Sequence, residues 1–221
     1  PGFDERTITV VETWRFASAN RLAPWWASTL SAGDGVDDSR SQTAFGDFTF
    51  DTTQRQYTWQ NDFTLPGDAG ALTLGIERRE ERLATDAAFA VTARDTDAVF
   101  GVWRARFGDQ ALQANLRRDD SSQYGGETTG AVAWGWRFAP QWRVTAGYGT
   151  AFKAPTFNDL YYPGFSNPDL VPETSTSVEA GVYATASGDA VRVEARAIGY
   201  RNRVQRLIVF GCDADFNCRP D

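Results

Sequence analysis

Apolar and polar residues alternate along this chain with a period of two, over stretches longer than the strands of soluble proteins. Val132, Trp134, Trp136 and Phe138 form one large apolar face, and the interleaved Ala131, Ala133, Gly135 and Arg137 are small or polar. Trp142, Val144, Ala146 and Tyr148 alternate with Gln141, Arg143, Thr145 and Gly147. Val191, Val193, Ala195 and Ala197 alternate with Arg192, Glu194 and Arg196; Leu72, Leu74 and Ile76, and Tyr57, Trp59 and Phe63, keep the same rhythm. Successive side chains of an extended backbone point to opposite faces, so these are strands with one apolar and one wet face.

About ten strands are expected, near 7–17, 23–32, 54–65, 70–82, 95–107, 110–119, 128–139, 141–150, 175–187 and 190–204, with a further one opening at Gln205. The rhythm weakens in the first two and around 95–107, where Phe100 and Val102 read as falling on opposite faces. Tight turns are expected at Ala19-Asn20-Arg21, Pro66-Gly67-Asp68, Gly108-Asp109, Ala139-Pro140 and Gly188-Asp189. They alternate with long polar connections at 33–53, 83–94, 120–127 and 151–174. In an up-and-down sheet this puts every tight turn on one rim and every long loop on the other, as in transmembrane barrels.

Alternation alone also suits a soluble sandwich or propeller. Strand length shifts the balance away from them: segments of about ten residues suit a tilted bilayer crossing, whereas soluble strands average about five to six. With 14% aromatic residues the chain is not disordered, and with 23% charged residues it offers no apolar run of helix-spanning length. If it crosses a membrane, it does so as a closed barrel. Trp25, Trp26, Phe138, Trp142 and Tyr148 suit the aromatic girdles of such a barrel.

A net charge of −7, with Arg interleaved among Asp and Glu, argues against nucleic acid, and the absence of His removes the commonest general base and metal ligand. Asp119 and Asp120 are adjacent, so on a strand they face apart and make no acid–base pair. No nucleophile elbow, phosphate loop or zinc spacing is present. The chain is read as no enzyme, with no cofactor. Met is absent as well, and the expectation is a barrel piece over 1–221, cut at both ends and without its plug.

The stretch GYGTAFKAPTFNDLYYPGFSNPDLVPETSTSVEAG, Gly147 to Gly181, carries the family signal. Lys153-Ala154-Pro155, Leu160-Tyr161, Asn167-Pro168-Asp169-Leu170-Val171-Pro172-Glu173 and Glu179-Ala180-Gly181 follow in an order that resembles the carboxyl-terminal half of TonB-dependent outer-membrane receptors. Arg118 to Gly125 and Gly199 to Val204 resemble the cobalamin-receptor branch. The resemblance implies an all-β, antiparallel up-and-down transmembrane barrel in the bacterial outer membrane. It implies outer-membrane lipid around the wall, uptake of a scarce chelate such as cobalamin or an iron–siderophore, and a TonB–ExbB–ExbD partnership through the plug. A passive outer-membrane pore is the alternative.

Within the motif the prolines fix the chain's direction and offer no pairing edge. Asn158 and Glu173 are expected to bond loop backbone and hold the loop against the rim, with direct ligand contact the rival role. Asp34, Asp37, Asp38, Asp47 and Asp51 read as solvated loop charge, with calcium the weaker reading and no metal site assigned. Arg192, Glu194 and Arg196 are expected on the lumen wall. Cys212 and Cys218 are expected to form a disulfide, because such proteins mature through an oxidising periplasm and the intervening Asp213 to Asn217 can reverse the chain. Two free thiols, or a partner elsewhere, remain the alternative.

Overall fold

The computed structural model describes residues 5–43, 46–187, 191–212 and 218–221, with backbone alone at Cys218. Ten strands form one sheet in strict sequence order: β1 (Arg6–Ala23), β2 (Trp26–Thr43), β3 (Gly46–Thr64), β4 (Ala71–Thr85), β5 (Ala93–Phe107), β6 (Gln110–Ser121), β7 (Gly125–Ala139), β8 (Trp142–Lys153), β9 (Glu173–Ser187) and β10 (Arg192–Gln205). Every neighbouring pair is antiparallel. The sheet is a curved, open stretch of barrel wall. β1 and β10 each have a single sheet neighbour. Among the described residues no helix is long and apolar enough to cross a membrane.

Register sorts the side chains into two surfaces. Leu30, Trp59, Ile76 and Val99 stand opposite one another on successive strands, and all are exposed. One step along, Thr58, Glu77, Ala98 and Asp119 form the matching row of the other surface. That second surface is concave: residues from β1 to β6, among them Arg15, Gln56, Glu77, Gln113, Asn115 and Arg117, border one cavity of about 630 Å³. Arg192, Glu194 and Arg196 lie opposite Ser187, Thr185 and Tyr183, on this inner face, as expected.

The outer face carries a belt of rings along the tight-turn rim. Trp25, Trp26 and Phe63 stack mutually with centroids 6.0–6.3 Å apart. Trp134, Trp136, Phe138 and Trp142 form a second chain of contacts. Phe107 and Val99 lie about 26 Å apart along β5 at roughly 3.3 Å per residue. A tilt of about 40° makes that roughly 20 Å of height, near the ~25 Å lipid-facing band of transmembrane barrels.

Several expectations need correction. The first turn falls at Pro24-Trp25, because β1 continues through Asn20 and Arg21 in pairing with Ser28 and Ala27. The expected loop 33–53 is mostly strand: β2 and β3 run on, paired from Trp26–Phe63 to Thr43–Gly46. Above the lipid both faces meet water, so a paired strand there needs no apolar face and its sequence imitates a loop. Hydroxyl pairs such as Thr7–Ser41 at 3.0 Å and Thr9–Ser39 at 3.3 Å dress this extension. The acidic cluster is therefore spread along two strands, with Asp34 paired to Arg55 at 2.9 Å and Asp38 to Arg40 at 3.2 Å. The expected loop 120–127 shrinks to residues 122–124, and the rim asymmetry is carried by strand overhang as much as by loop length.

Phe100 and Val102 share the inner face, as residues two apart on an unbroken strand must, and both border the lumen cavity. Phe100 covers Gly75, where an added Cβ would strike the ring. No eleventh wall strand opens at Gln205, which closes β10. Arg206 takes a positive φ of 55°, and the chain enters a separate hairpin of β11 (Phe210–Cys212) and β12 (Cys218–Pro220). The turns expected at Gly188-Asp189 and Asp213 to Asn217 lie outside the described residues.

The two-faced wall predicts opposite tolerance to charge. Leu74→Arg, on the lipid face, should destabilise the complete barrel in lipid by about 2–4 kcal/mol. Thr58→Arg, on the lumen face, should change stability by under about 1 kcal/mol. Urea unfolding in liposomes reads both, and equal losses would refute the assignment of faces.

Candidate functional site at the lumen mouth

After Lys153 the chain leaves the sheet and returns only at Glu173, and the segment between folds onto the inner wall. Thr156 opens the short helix α1 (Phe157–Tyr161) with a capping box: its hydroxyl accepts from the Asp159 amide at 3.1 Å, and the Asp159 carboxylate accepts from the Thr156 amide at 2.8 Å. These bonds satisfy amides that a helix start otherwise leaves unpaired. α1 turns Phe157 and Leu160 inward, Leu160 to 3% exposure.

Arg94, near the start of β5, joins this loop to the wall. Its guanidinium donates to both Glu81 oxygens at 2.8 Å, to the Pro155 carbonyl at 2.8 Å and to Gln123 Oε1 at 3.3 Å. It also lies 5.2 Å from the Phe157 ring centre and 5.8 Å from that of Tyr124. A planar fork engaging a carboxylate, a carbonyl and two ring faces uses what distinguishes arginine from lysine. Glu81 and Arg94 stand on the loop side of the apolar band, where their outward neighbours Glu80, Arg82 and Asp95 are charged. Burial pushes the Glu81 carboxyl up, but the hydrogen bonds and charge of Arg94 outweigh it and leave the group below its ordinary value.

Deeper in the wall Arg117 donates to Asp119 and, at 2.7 Å, to Glu77, which also accepts from Gln56 at 2.7 Å. Asp119 is 2% exposed, whereas Asp120 faces outward and is exposed. Arg94 and Arg117 are thus each paired with carboxylates of the wall itself.

The motif residues divide by what they touch. Pro155 and Pro172 are fully buried, Ala154, Tyr161 and Leu170 half-buried, and Pro168 exposed. Asn158 bonds the loop through its main-chain carbonyl, which accepts from the Tyr162 amide at 3.2 Å, while its side chain is exposed. Asn167 carries the side-chain bonding: its Oδ1 accepts from the Asp169 amide at 3.1 Å and its Nδ2 donates to the Pro220 carbonyl at 3.3 Å. Glu173 accepts from Lys153 Nζ at 3.1 Å and from the Ile208 amide at 3.2 Å. Cys212 is disulfide-bonded, and the residue opposite it across the hairpin is Cys218. Rings bridge the two loops at the mouth: Phe50 to Phe89 at 6.1 Å, Phe89 to Tyr162 at 5.8 Å and Tyr162 to Phe165 at 6.4 Å.

Arg94, Glu81, Phe157, Arg117 and Phe89 were not singled out by the sequence reading. The Thr156–Asp159 spacing was a legible capping signal, but nothing local marks Arg94, whose carbonyl partner lies 61 residues away.

A wall with a lipid-facing surface outside, a hydrophilic one inside and a loop folded over the mouth is the geometry of a transmembrane barrel wall. Residues 3–220 match the family described as TonB dependent receptor-like, beta-barrel, and the chain belongs to that family. It is 33% identical over 172 residues to the vitamin B12 transporter BtuB of Vibrio cholerae, covering 78% of this chain and 27% of the relative. It is also 33% identical over 153 residues to that of Photobacterium profundum, covering 69% and 24%. The chain therefore spans about a quarter of the length of the curated relatives it matches. Among solved structures, the siderophore receptor PirA of Acinetobacter baumannii superposes with a TM-score of 0.79 at 15% identity, over 97% of this chain and 40% of that one. The hemophore receptor HasR of Serratia marcescens gives a TM-score of 0.71 at 16% identity, over 95% and 42%. At such identities the structures share the fold.

The Arg94 clasp is testable in the complete protein. Arg94→Met removes the nearer cation of half-buried Glu81, leaving Arg79 at 3.6 Å, and should cost about 1–3 kcal/mol. A nitroxide at Tyr162→Cys should then become mobile. With a depressed carboxyl, the Glu81 contribution is present above the ordinary value of about 4.3 and is lost as pH falls through the lower folded value. Acidification should mobilise the same label in wild type and add little in Arg94→Met; unchanged mobility in both experiments would exclude the clasp.

Proposed function

We propose that this chain is part of the wall of a TonB-dependent receptor of the bacterial outer membrane that takes up a scarce chelate, cobalamin or an iron–siderophore. The observation that carries the reading is the 33% identity to vitamin B12 transporters over most of this chain. The hydrophilic lumen face and the inward-folded loop are the features such a conduit needs. In this reading the outer aromatic belt meets membrane lipid, and energy comes from TonB–ExbB–ExbD through a plug elsewhere in the complete polypeptide. Lys153, Ala154, Pro155, Asn158, Leu160, Tyr161, Asn167, Pro168, Leu170, Pro172 and Glu173 shape the ligand-side rim. A Cys212–Cys218 disulfide closes the hairpin beside it.

Uptake by cells expressing the complete gene tests this. Labelled cobalamin or ferric siderophore should accumulate only when TonB is present. Accumulation independent of TonB would replace the receptor with a passive pore. For the bridge, thiol labelling of the complete protein under non-reducing denaturation should modify neither cysteine until reductant is added; labelling of both without reductant would disprove it.

A further inference from the structure

The outer face of the wall is not uniformly apolar at its loop-side edge. Between β2 and β6 it is indented by a hollow of about 580 Å³. Leu30, Trp59, Ile76 and Val99 form the floor, each about half exposed. On β4, β5 and β6 the outward residues that follow Ile76, Val99 and Leu116 toward the loops are Arg78, Asp97 and Arg118. The hollow therefore straddles the level at which hydrocarbon gives way to headgroups.

Its charged rim has a definite order. Arg78 stands opposite Asp97, Asp97 opposite Asp120, and Asp120 opposite Gly126. The Arg118 guanidinium lies over Gly126, where an added Cβ would strike Nη2, and its Nη1 donates to Thr128 Oγ1 at 3.0 Å. The row thus reads cation, carboxylate, carboxylate, cation. Arg78 is engaged by Glu80, Asp95 and Asp97 at 3.1–3.3 Å. Among the described residues Arg118 and Asp120 enter no ion pair, and both are exposed.

Two carboxylates opposed across neighbouring strands repel one another, and only Asp97 has a cation of the wall to offset this. A cation at Asp120 and an anion on Arg118 complete the row, and the planar fork of a guanidinium matches phosphate. Dissolved ions would meet the charges but leave the floor bare, and a plain hydrocarbon chain would do the reverse. An amphiphile meets both.

We propose that this hollow seats one lipid of the surrounding membrane whose headgroup carries a phosphate beside a primary amine. The phosphate lies on Arg118, the ammonium at Asp120 and Asp97, and an acyl chain over Trp59, Ile76 and Val99. The site requires the wall to lie in a bilayer and is independent of the solute that passes through the lumen.

Native mass spectrometry of the complete protein reads the site, after exchange in micelles with phosphatidylethanolamine, phosphatidylcholine or phosphatidylglycerol. Phosphatidylethanolamine should be retained preferentially, because the methylated amine of the second lipid donates no hydrogen bond and the headgroup of the third carries no cation. Arg118→Met and Asp120→Asn should each lower its retention roughly tenfold. Arg196→Met, on the lumen face, should leave it unchanged. If Arg118→Met does not fold, Asp120→Asn decides, since it removes an exposed carboxylate without an ion pair. Equal retention of the three lipids, or wild-type retention in either folded variant, overturns the proposal. Preferential retention of phosphatidylglycerol that appears only with added calcium also overturns it, because the carboxylates would then hold a metal ion and not an amine.

Discussion

The rest of the structure depends on the obligation of every backbone amide and carbonyl to find a partner where no water can serve. In hydrocarbon an unpaired group costs several kcal/mol, so an extended chain can cross only if both its edges are bonded. A meander in nearest-neighbour order meets that demand, and all nine neighbouring strand pairs of the sheet are joined this way here. Once the backbone is settled, the side chains are free to differ by face. The period-two rhythm then separates Leu30, Trp59, Ile76 and Val99 from Thr58, Glu77, Ala98 and Asp119 with one residue's offset.

That same rhythm explains what the sequence disclosed and what it hid. Strands β4 to β10 were legible because lipid on one side and water on the other force alternation. The upper parts of β2 and β3 were not, because beyond the bilayer both faces may be polar and Thr, Ser, Gln and Asp read as loop. Their strand character comes from a partner strand, as in the pairing of Asp38 with Asp51 and of Arg40 with Thr49, which no window of sequence contains. The hairpin at β11 and β12 was mistaken for the start of another wall strand because Leu207, Ile208, Val209 and Phe210 form an apolar run past Gln205, while the backbone turns at Arg206.

At the site, legibility followed distance in sequence. The motif from Lys153 to Glu173 was recognisable as a unit, and in the fold it leaves the sheet after β8 and lies against the inner wall. The wall residues that receive it were invisible. Arg94 and Glu81 sit on strands that end or begin beside a different loop, and each looks like one more charged residue on a wet face. Only the curvature of the sheet brings Pro155 over them.

The loop at the mouth is anchored to the wall through the path of its backbone. Three kinds of contact hold it: buried prolines and α1 side chains against the wall, charge-assisted bonds from Arg94 below, and the bonds of Asn167 and Glu173 to the chain following β10. Most of these engage main-chain groups or close the base of the loop, so they fix the path of the backbone, and the exposed rings of Tyr162 and Phe165 add contacts across the mouth.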